Sequence, residues 1–135
     1  MEKILISDSL ADGWQDVFGP SGVEVDVNTG LSEDALCEVI GDYVGMIVRS
    51  ATKVTQRVIG AGTNLRAIGR AGAGVDNIDL EAATQRGIVV MNAPGGNTIS
   101  TAEHAMAMMM ALSRNIPQAT ASIKDGKWER SEYTG

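Results

Sequence analysis

The chain has 135 residues, 44% of them hydrophobic and 21% charged, with a formal net charge of −6. This length and composition give about one domain with a core of its own and exclude a disordered acidic segment. The acidic balance argues against a nucleic-acid surface, and the longest apolar run, Ala105 to Leu112, is far below the roughly 18 residues of a membrane span.

Met1-Glu2-Lys3 leads straight into the apolar run Lys3–Asp8, so no signal peptide is expected. That run reads as a strand. Val23–Asn28 alternates Val and acid, the pattern of a half-exposed or edge strand. Ser32 can cap a helix, with Glu33 and Asp34 favouring its dipole and Leu36, Val39 and Ile40 at helical spacing behind them. Cys37, the single cysteine, lies in that helix as a small apolar residue. It permits no internal disulfide, which fits a reducing cytoplasm. Gly45–Val48 is a buried-type strand that breaks at Arg49-Ser50. Thr55–Ala61 is a short helix, Leu65–Gly69 a strand, and Arg70–Gly74 a glycine-rich loop. Leu80–Gln85 is a helix closed by Gly87, and Ile88–Met91 is a further strand.

Strands separated by helices imply parallel βαβ units with right-handed crossovers. The predicted class is therefore α/β, an open, flavodoxin-like doubly wound parallel sheet with helices on both faces. After Met91 the pattern changes. Asn92–Asn97 is a turn-rich linker, and Thr98 or Ser100 can cap a helix running from Thr101 to about Arg114. That helix is apolar nearly all round and needs cover on every side. Asn115–Gly135 supplies little of it: Ile116, Ile123 and Trp128. The expected division is residues 1–93 and 94–135, the second being the opening of a domain that does not continue within this sequence.

Ligands of open α/β sheets bind beyond the carboxyl ends of the strands. Two predicted loops at such ends carry cations: Arg49-Ser50-Ala51-Thr52-Lys53, and Arg70 in Gly69–Gly74. Arginine clasps a carboxylate or phosphate through paired hydrogen bonds, and Ser50 and Thr52 add hydroxyl donors. Gly72 and Gly74 let backbone N–H groups approach an anion. The alternative is a set of solvated loop charges with turn glycines. A dinucleotide fingerprint is not present, because Gly72-Ala73-Gly74 lacks the third glycine and no helix opens there. His104, the only histidine, has no nucleophile or second histidine near it and reads as structural. One His and one Cys without ligand spacing exclude a metal site, and the methionines of 106–110 read as core or interface filler.

Ile47–Val54, Gly69–Asp79, Met91–Thr98 and Thr101-Ala102-Glu103 closely resemble the D-isomer-specific 2-hydroxyacid dehydrogenases. The likeness comprises several blocks in order and spans essentially the whole chain. Ile116–Ala119 and Asp125–Arg130 look most like the members that oxidise 3-phosphoglycerate to 3-phosphohydroxypyruvate with NAD, the first step of serine biosynthesis. The resemblance implies that residues 1–93 begin a substrate-binding domain. Residues 94–135 would then be the linker and the first helix of a truncated Rossmann nucleotide-binding domain. By the same resemblance, Arg49, Ser50 and Lys53 would hold the substrate's anionic groups. The loop Arg70, Gly72, Ala73, Gly74 would present N–H groups to its carboxylate. Ala73 would also border the nicotinamide, and Asn97 would line the reaction centre and the cofactor. Position 73 is Ala where relatives often carry a hydroxyl residue, which leaves a backbone contact there.

The family's dinucleotide fingerprint and catalytic Arg, Glu and His have no match within residues 1–135. His104 does not fit the catalytic motif. The expectation is an amino-terminal part of a cytoplasmic enzyme, inactive alone and a homodimer or homotetramer when intact, with no nucleic-acid or membrane partner. Two alternatives stay open: a glyoxylate or hydroxypyruvate reductase of the same family, and a non-catalytic small-anion-binding α/β module.

Overall fold

The short apolar runs become five strands of one sheet in the computed structural model, which describes residues 2–134. β1 (Lys3–Ile6), β2 (Glu24–Val27), β3 (Gly45–Val48), β4 (Ala67–Arg70) and β5 (Val89–Asn92) lie in the order β2-β1-β3-β4-β5. All four pairings are parallel. This is the expected doubly wound sheet, with its switch point between β1 and β3. Register runs straight across its middle, Ile4 beside Gly45, Gly45 beside Ala67, and Ala67 beside Val89.

Four helices connect the strands: α1 (Trp14–Phe18), α2 (Glu33–Val39), α3 (Gln56–Ala61) and α4 (Leu80–Gln85). Their starts follow from local chemistry. Ser32, Thr55 and Asp79 accept hydrogen bonds from the N–H groups of Ala35, Val58 and Ala82, each answering an orphan donor of the first turn. Gly87, at φ +67°, supplies the left-handed residue that ends α4. α2 packs on α3 and α3 on α4, so these three form one layer. The crossover from β1 to β2 runs the other way along the sheet, which puts α1 on the opposite face. The core lies under the three-helix layer, where Leu5, Met46, Val48 and Ile68 meet Leu36, Ile40, Val58, Ile59 and Ala83. α1 buries no residue.

β1 and β2 are shorter than the sequence reading, ending at Ile6 and spanning only Glu24–Val27, and β4 and β5 shift by one or two residues. The Leu65 N–H bonds to the Gly62 carbonyl, so Leu65 ends the turn after α3 and β4 starts at Ala67. The Ile88 N–H bonds to the Ala83 carbonyl, leaving Ile88 with α4, while Asn92 pairs with Arg70 and lengthens β5.

The chain divides into two compact units, Met1–Gly96 and Asn97–Gly135. The second holds α5 (Thr98–Ser113), α6 (Ile116–Lys124) and a 3-10 turn at Arg130–Tyr133. Neither Thr98 nor Ser100 caps α5, contrary to expectation. A turn closes with the Gly96 N–H on the Ala93 carbonyl, and the next carbonyl to accept a helical bond is that of Asn97, from the Thr101 N–H. Asn97 therefore takes the cap position and the helix begins at Thr98. The Ser100 hydroxyl donates back to Asn97. α6 was not predicted. It starts after Asn115, which turns the chain at φ +52°, and Pro117 fits its first turn, where the missing N–H costs nothing.

No residue of α5 is buried, and Met106, Met108, Met109 and Met110 are each more than half exposed. Soluble monomers rarely leave such a patch bare. The isolated chain is therefore expected to bind a hydrophobic dye and to sediment above monomer mass. Clean monomeric sedimentation without dye binding would contradict this. Among the described residues no helix is long and apolar enough to cross a membrane.

Candidate functional site

β1, β3 and β4 are the interior strands of the sheet, and the site is built where they end. β1 runs into Ser7 and Asp8, both buried. The Asp8 carboxylate receives the loop that follows β3. Its Oδ2 accepts the N–H of Arg49 at 2.6 Å and of Thr52 at 3.1 Å, and its Oδ1 accepts the Thr52 hydroxyl at 2.7 Å. Burial pushes the Asp8 pKa up, but the Thr52 hydroxyl and the N–H groups of Arg49, Thr52 and Ala51 together outweigh it. The net direction is down, because hydrogen bonds to the ionised form favour it.

A lowered folded pKa means that Asp8 contributes stability above the ordinary carboxylate range. That contribution is lost as pH falls through the folded value. The acid limb of the unfolding free-energy curve should therefore be shallower for Asp8→Asn than for the parent chain, measured by denaturant titration at a series of pH values.

The loop after β4 meets the same segment from another direction. The Asn77 amide donates to the carbonyls of Arg49 at 2.7 Å and Thr52 at 2.6 Å. Beyond these contacts Val54 and Ile78 form a parallel bridge. Arg70 Nε donates to the Arg49 carbonyl at 3.2 Å, and its Nη1 lies 3.4 Å from Asp76 Oδ1. A Cβ on Gly74 would sit 3.0 Å from Asp76 Oδ1 and 3.1 Å from Arg70 Nη1. The glycine thus leaves the room in which Arg70 crosses its own loop. The Ala93 N–H donates to the Gly72 carbonyl and the Asn92 amide to that of Ala73, tying the loop to the end of β5.

The two predicted cation loops are therefore brought together, but their members divide. Arg49, Ser50 and Lys53 are exposed, and Arg49 Nη1 donates to the Ser9 carbonyl at 3.2 Å. Thr52, expected as an outward hydroxyl donor, turns inward to Asp8. Arg70 is engaged at home, its side chain only 11% exposed. Among the described residues the N–H groups of Ala73 and Gly74 have no hydrogen-bond partner. Hollows of ≈ 470 Å³ and ≈ 560 Å³ flank the first loop, the former reaching Asp8, Leu31 and Glu33 and the latter Ser50, Asp76 and Asn77, with Lys53 on both. Exposed cations, a hydroxyl and open N–H groups on linked loops suit a small organic anion.

Asn97 belongs to the second unit, where it caps α5. The glycine loop builds no dinucleotide cradle. The next helix opens only at Leu80 under the Asp79 cap, and the Gly72 N–H is engaged by the Arg70 carbonyl at 2.8 Å. Asp8 and Asn77 escaped the sequence reading. Their only signals were an acid at the polar end of the first apolar run and an amide between the glycine-rich loop and the helix that starts at Leu80.

Residues 4–131 match the family model described as the D-isomer specific 2-hydroxyacid dehydrogenase catalytic domain. The chain is 55% identical over 133 residues to a D-3-phosphoglycerate dehydrogenase of Archaeoglobus fulgidus, covering 98% of this chain and 25% of that one. A D-3-phosphoglycerate dehydrogenase of Synechocystis is 53% identical over 135 residues, covering 100% of this chain and 24% of that one. An NAD+-bound 3-phosphoglycerate dehydrogenase structure from Entamoeba histolytica superposes with a TM-score of 0.74 at 38% identity, over 82% of this chain and 38% of that one. The chain thus spans about a quarter of the length of the curated relatives it matches.

Proposed function

Because the chain belongs to the D-isomer specific 2-hydroxyacid dehydrogenase family, we propose that it supplies the opening of the substrate-binding half of a 3-phosphoglycerate dehydrogenase. The reaction is oxidation of 3-phospho-D-glycerate to 3-phosphohydroxypyruvate with NAD, the entry step of serine biosynthesis. The observation that carries this reading is the linkage of the two loops through Asn77 and Arg70, which sets exposed cations beside open N–H groups. The shared name of relatives at 53–55% identity supplies the choice of acid.

In this reading Arg49 grips one anionic group through paired hydrogen bonds, and Ser50 and Lys53 hold the other. The N–H groups of Ala73 and Gly74 receive the carboxylate, and Gly72 keeps the backbone approachable. Arg70 acts by holding the loop. Residues 1–93 contribute to the substrate domain, and 94–135 form the linker and the opening of the nucleotide domain. Ala73 borders the nicotinamide. NAD supplies the hydride acceptor, but among the described residues the glycine loop forms no pyrophosphate cradle, so no hydride-transfer step is assigned to them. The intact enzyme is a cytoplasmic homo-oligomer.

The test is a comparison of two polypeptides, residues 1–135 alone and the same sequence joined to its nucleotide-binding half. NADH formation from 3-phosphoglycerate is expected from the longer one and not from the shorter. Turnover by 1–135 alone, or a longer enzyme that acts on glyoxylate and ignores phosphoglycerate, overturns the proposal.

A further inference from the structure

The segment that carries Arg49, Ser50 and Lys53 has no apolar anchor of its own. Ala51 is exposed, and Val54 is the first buried apolar side chain after Val48. Packing therefore does not fix its shape. Hydrogen bonds do, and two side chains of opposite polarity make most of them. Asp8, which can only accept when ionised, takes N–H groups of Arg49 and Thr52 and the Thr52 hydroxyl. Asn77, donating through its amide nitrogen, takes the carbonyls of Arg49 and Thr52. Both peptide groups that bracket the turn are thus claimed at their donor and at their acceptor. The exposed side chains of the segment are Arg49, which keeps one neutral hydrogen bond to the Ser9 carbonyl, Ser50 and Lys53.

A buried carboxylate is the wrong sign for the neighbourhood of an anion site. Its position makes sense if the charge serves the loop instead of the ligand. We propose that Asp8 and Asn77 are a polarity-matched pair of positioning residues that hold the 49–53 loop in its anion-gripping shape before substrate arrives. This rests on the phosphoglycerate reading of that loop. Pre-ordering of this kind removes an entropy cost that substrate binding would otherwise carry. It is distinct from any direct contact, since neither residue needs to touch the ligand.

The sign of the effect separates positioning from simple electrostatics. Removing a negative charge near an anion site would strengthen substrate binding on Coulombic grounds alone, whereas loss of loop order weakens it. The experiment uses the full-length dehydrogenase carrying Asp8→Ala, Asp8→Asn or Asn77→Asp, with KM measured separately for 3-phosphoglycerate and NAD. Asp8→Ala is expected to raise KM for phosphoglycerate about tenfold or more and to leave KM for NAD within about twofold. Asp8→Asn should recover to within about threefold of the parent, because its carbonyl oxygen keeps both N–H contacts and its amide can donate to the Thr52 hydroxyl. Asn77→Asp should be at least as damaging as Asp8→Ala, since it faces two carbonyls with a carboxylate.

If Asp8→Ala does not fold, the other two variants decide by the contrast just given. In Asp8→Ala or Asn77→Asp, a fall in KM for phosphoglycerate, no change, or equal changes for both substrates overturns the positioning pair. Arg49→Ala in the same enzyme is the control. If it weakens phosphoglycerate while the Asp8 and Asn77 variants do not, only the pair is wrong. If the parent does not oxidise phosphoglycerate, the substrate reading fails and takes the pair with it.

Discussion

On the proposed phosphoglycerate reading, Arg49→Ala in the full-length enzyme is expected to raise KM for 3-phosphoglycerate by one to two powers of ten, with KM for NAD nearly unchanged. The guanidinium is exposed at the end of an interior strand, and among the described residues its one side-chain hydrogen bond is a neutral one, to the Ser9 carbonyl at 3.2 Å. It is therefore available for a charged ligand. A charge-assisted pair of hydrogen bonds contributes about 1.5–3 kcal/mol, which is roughly 10- to 150-fold in affinity. Arg49→Lys should fall between the two, because an ammonium keeps the charge and loses the planar fork. Steady-state kinetics with each substrate varied in turn checks the result. An unchanged KM for phosphoglycerate removes Arg49 from the site.

A core substitution gives the other large effect, on stability. Ile68 is fully buried on β4, between β3 and β5 and under the layer of α2, α3 and α4. Ile68→Ala removes side-chain carbons that have no route to solvent and leaves a cavity that a paired strand cannot easily close. The expected cost is about 3–4 kcal/mol, read as a fall in the urea midpoint of residues 1–135 with little change in slope. Val89→Ala serves as the reference. Val89 lies on the edge strand β5 and is 57% exposed, so its truncation should stay within about 0.5 kcal/mol. Equal losses at the two positions would mean that the packed layer does not carry the fold.

Strand and helix alternation was legible because it depends on neighbours in sequence. Gly45–Val48 is apolar and short, Ser32 and Asp79 cap the helices they precede, and Gly87 ends α4 at a left-handed φ. The site was legible in its composition and not in its wiring. Spacing places Arg49 just after a strand and Arg70 at the next strand's end, where it is the last residue of β4 and not the first of the loop; it cannot show that Arg70 lies across Gly74 and bonds the Arg49 carbonyl. Asp8 meets its partners across 41 and 44 residues, a distance at which one sequence carries no pairing signal. α6 went unseen because its helical spacing is thin. Ile116, Ala119 and Ile123 sit among polar residues, and a proline in the first turn looks like a breaker until the helix start is known.

The winding of the sheet also sets an order for assembly during synthesis. β1 gains β2 on one side and β3 on the other, and β4 and β5 then add outward in the order in which they leave the ribosome. No strand is inserted between two already placed, so each new βα unit docks on a finished edge. Asp8 can take hold of the Arg49–Thr52 turn as soon as position 52 has emerged, some two dozen residues before Asn77 exists to grip its other side.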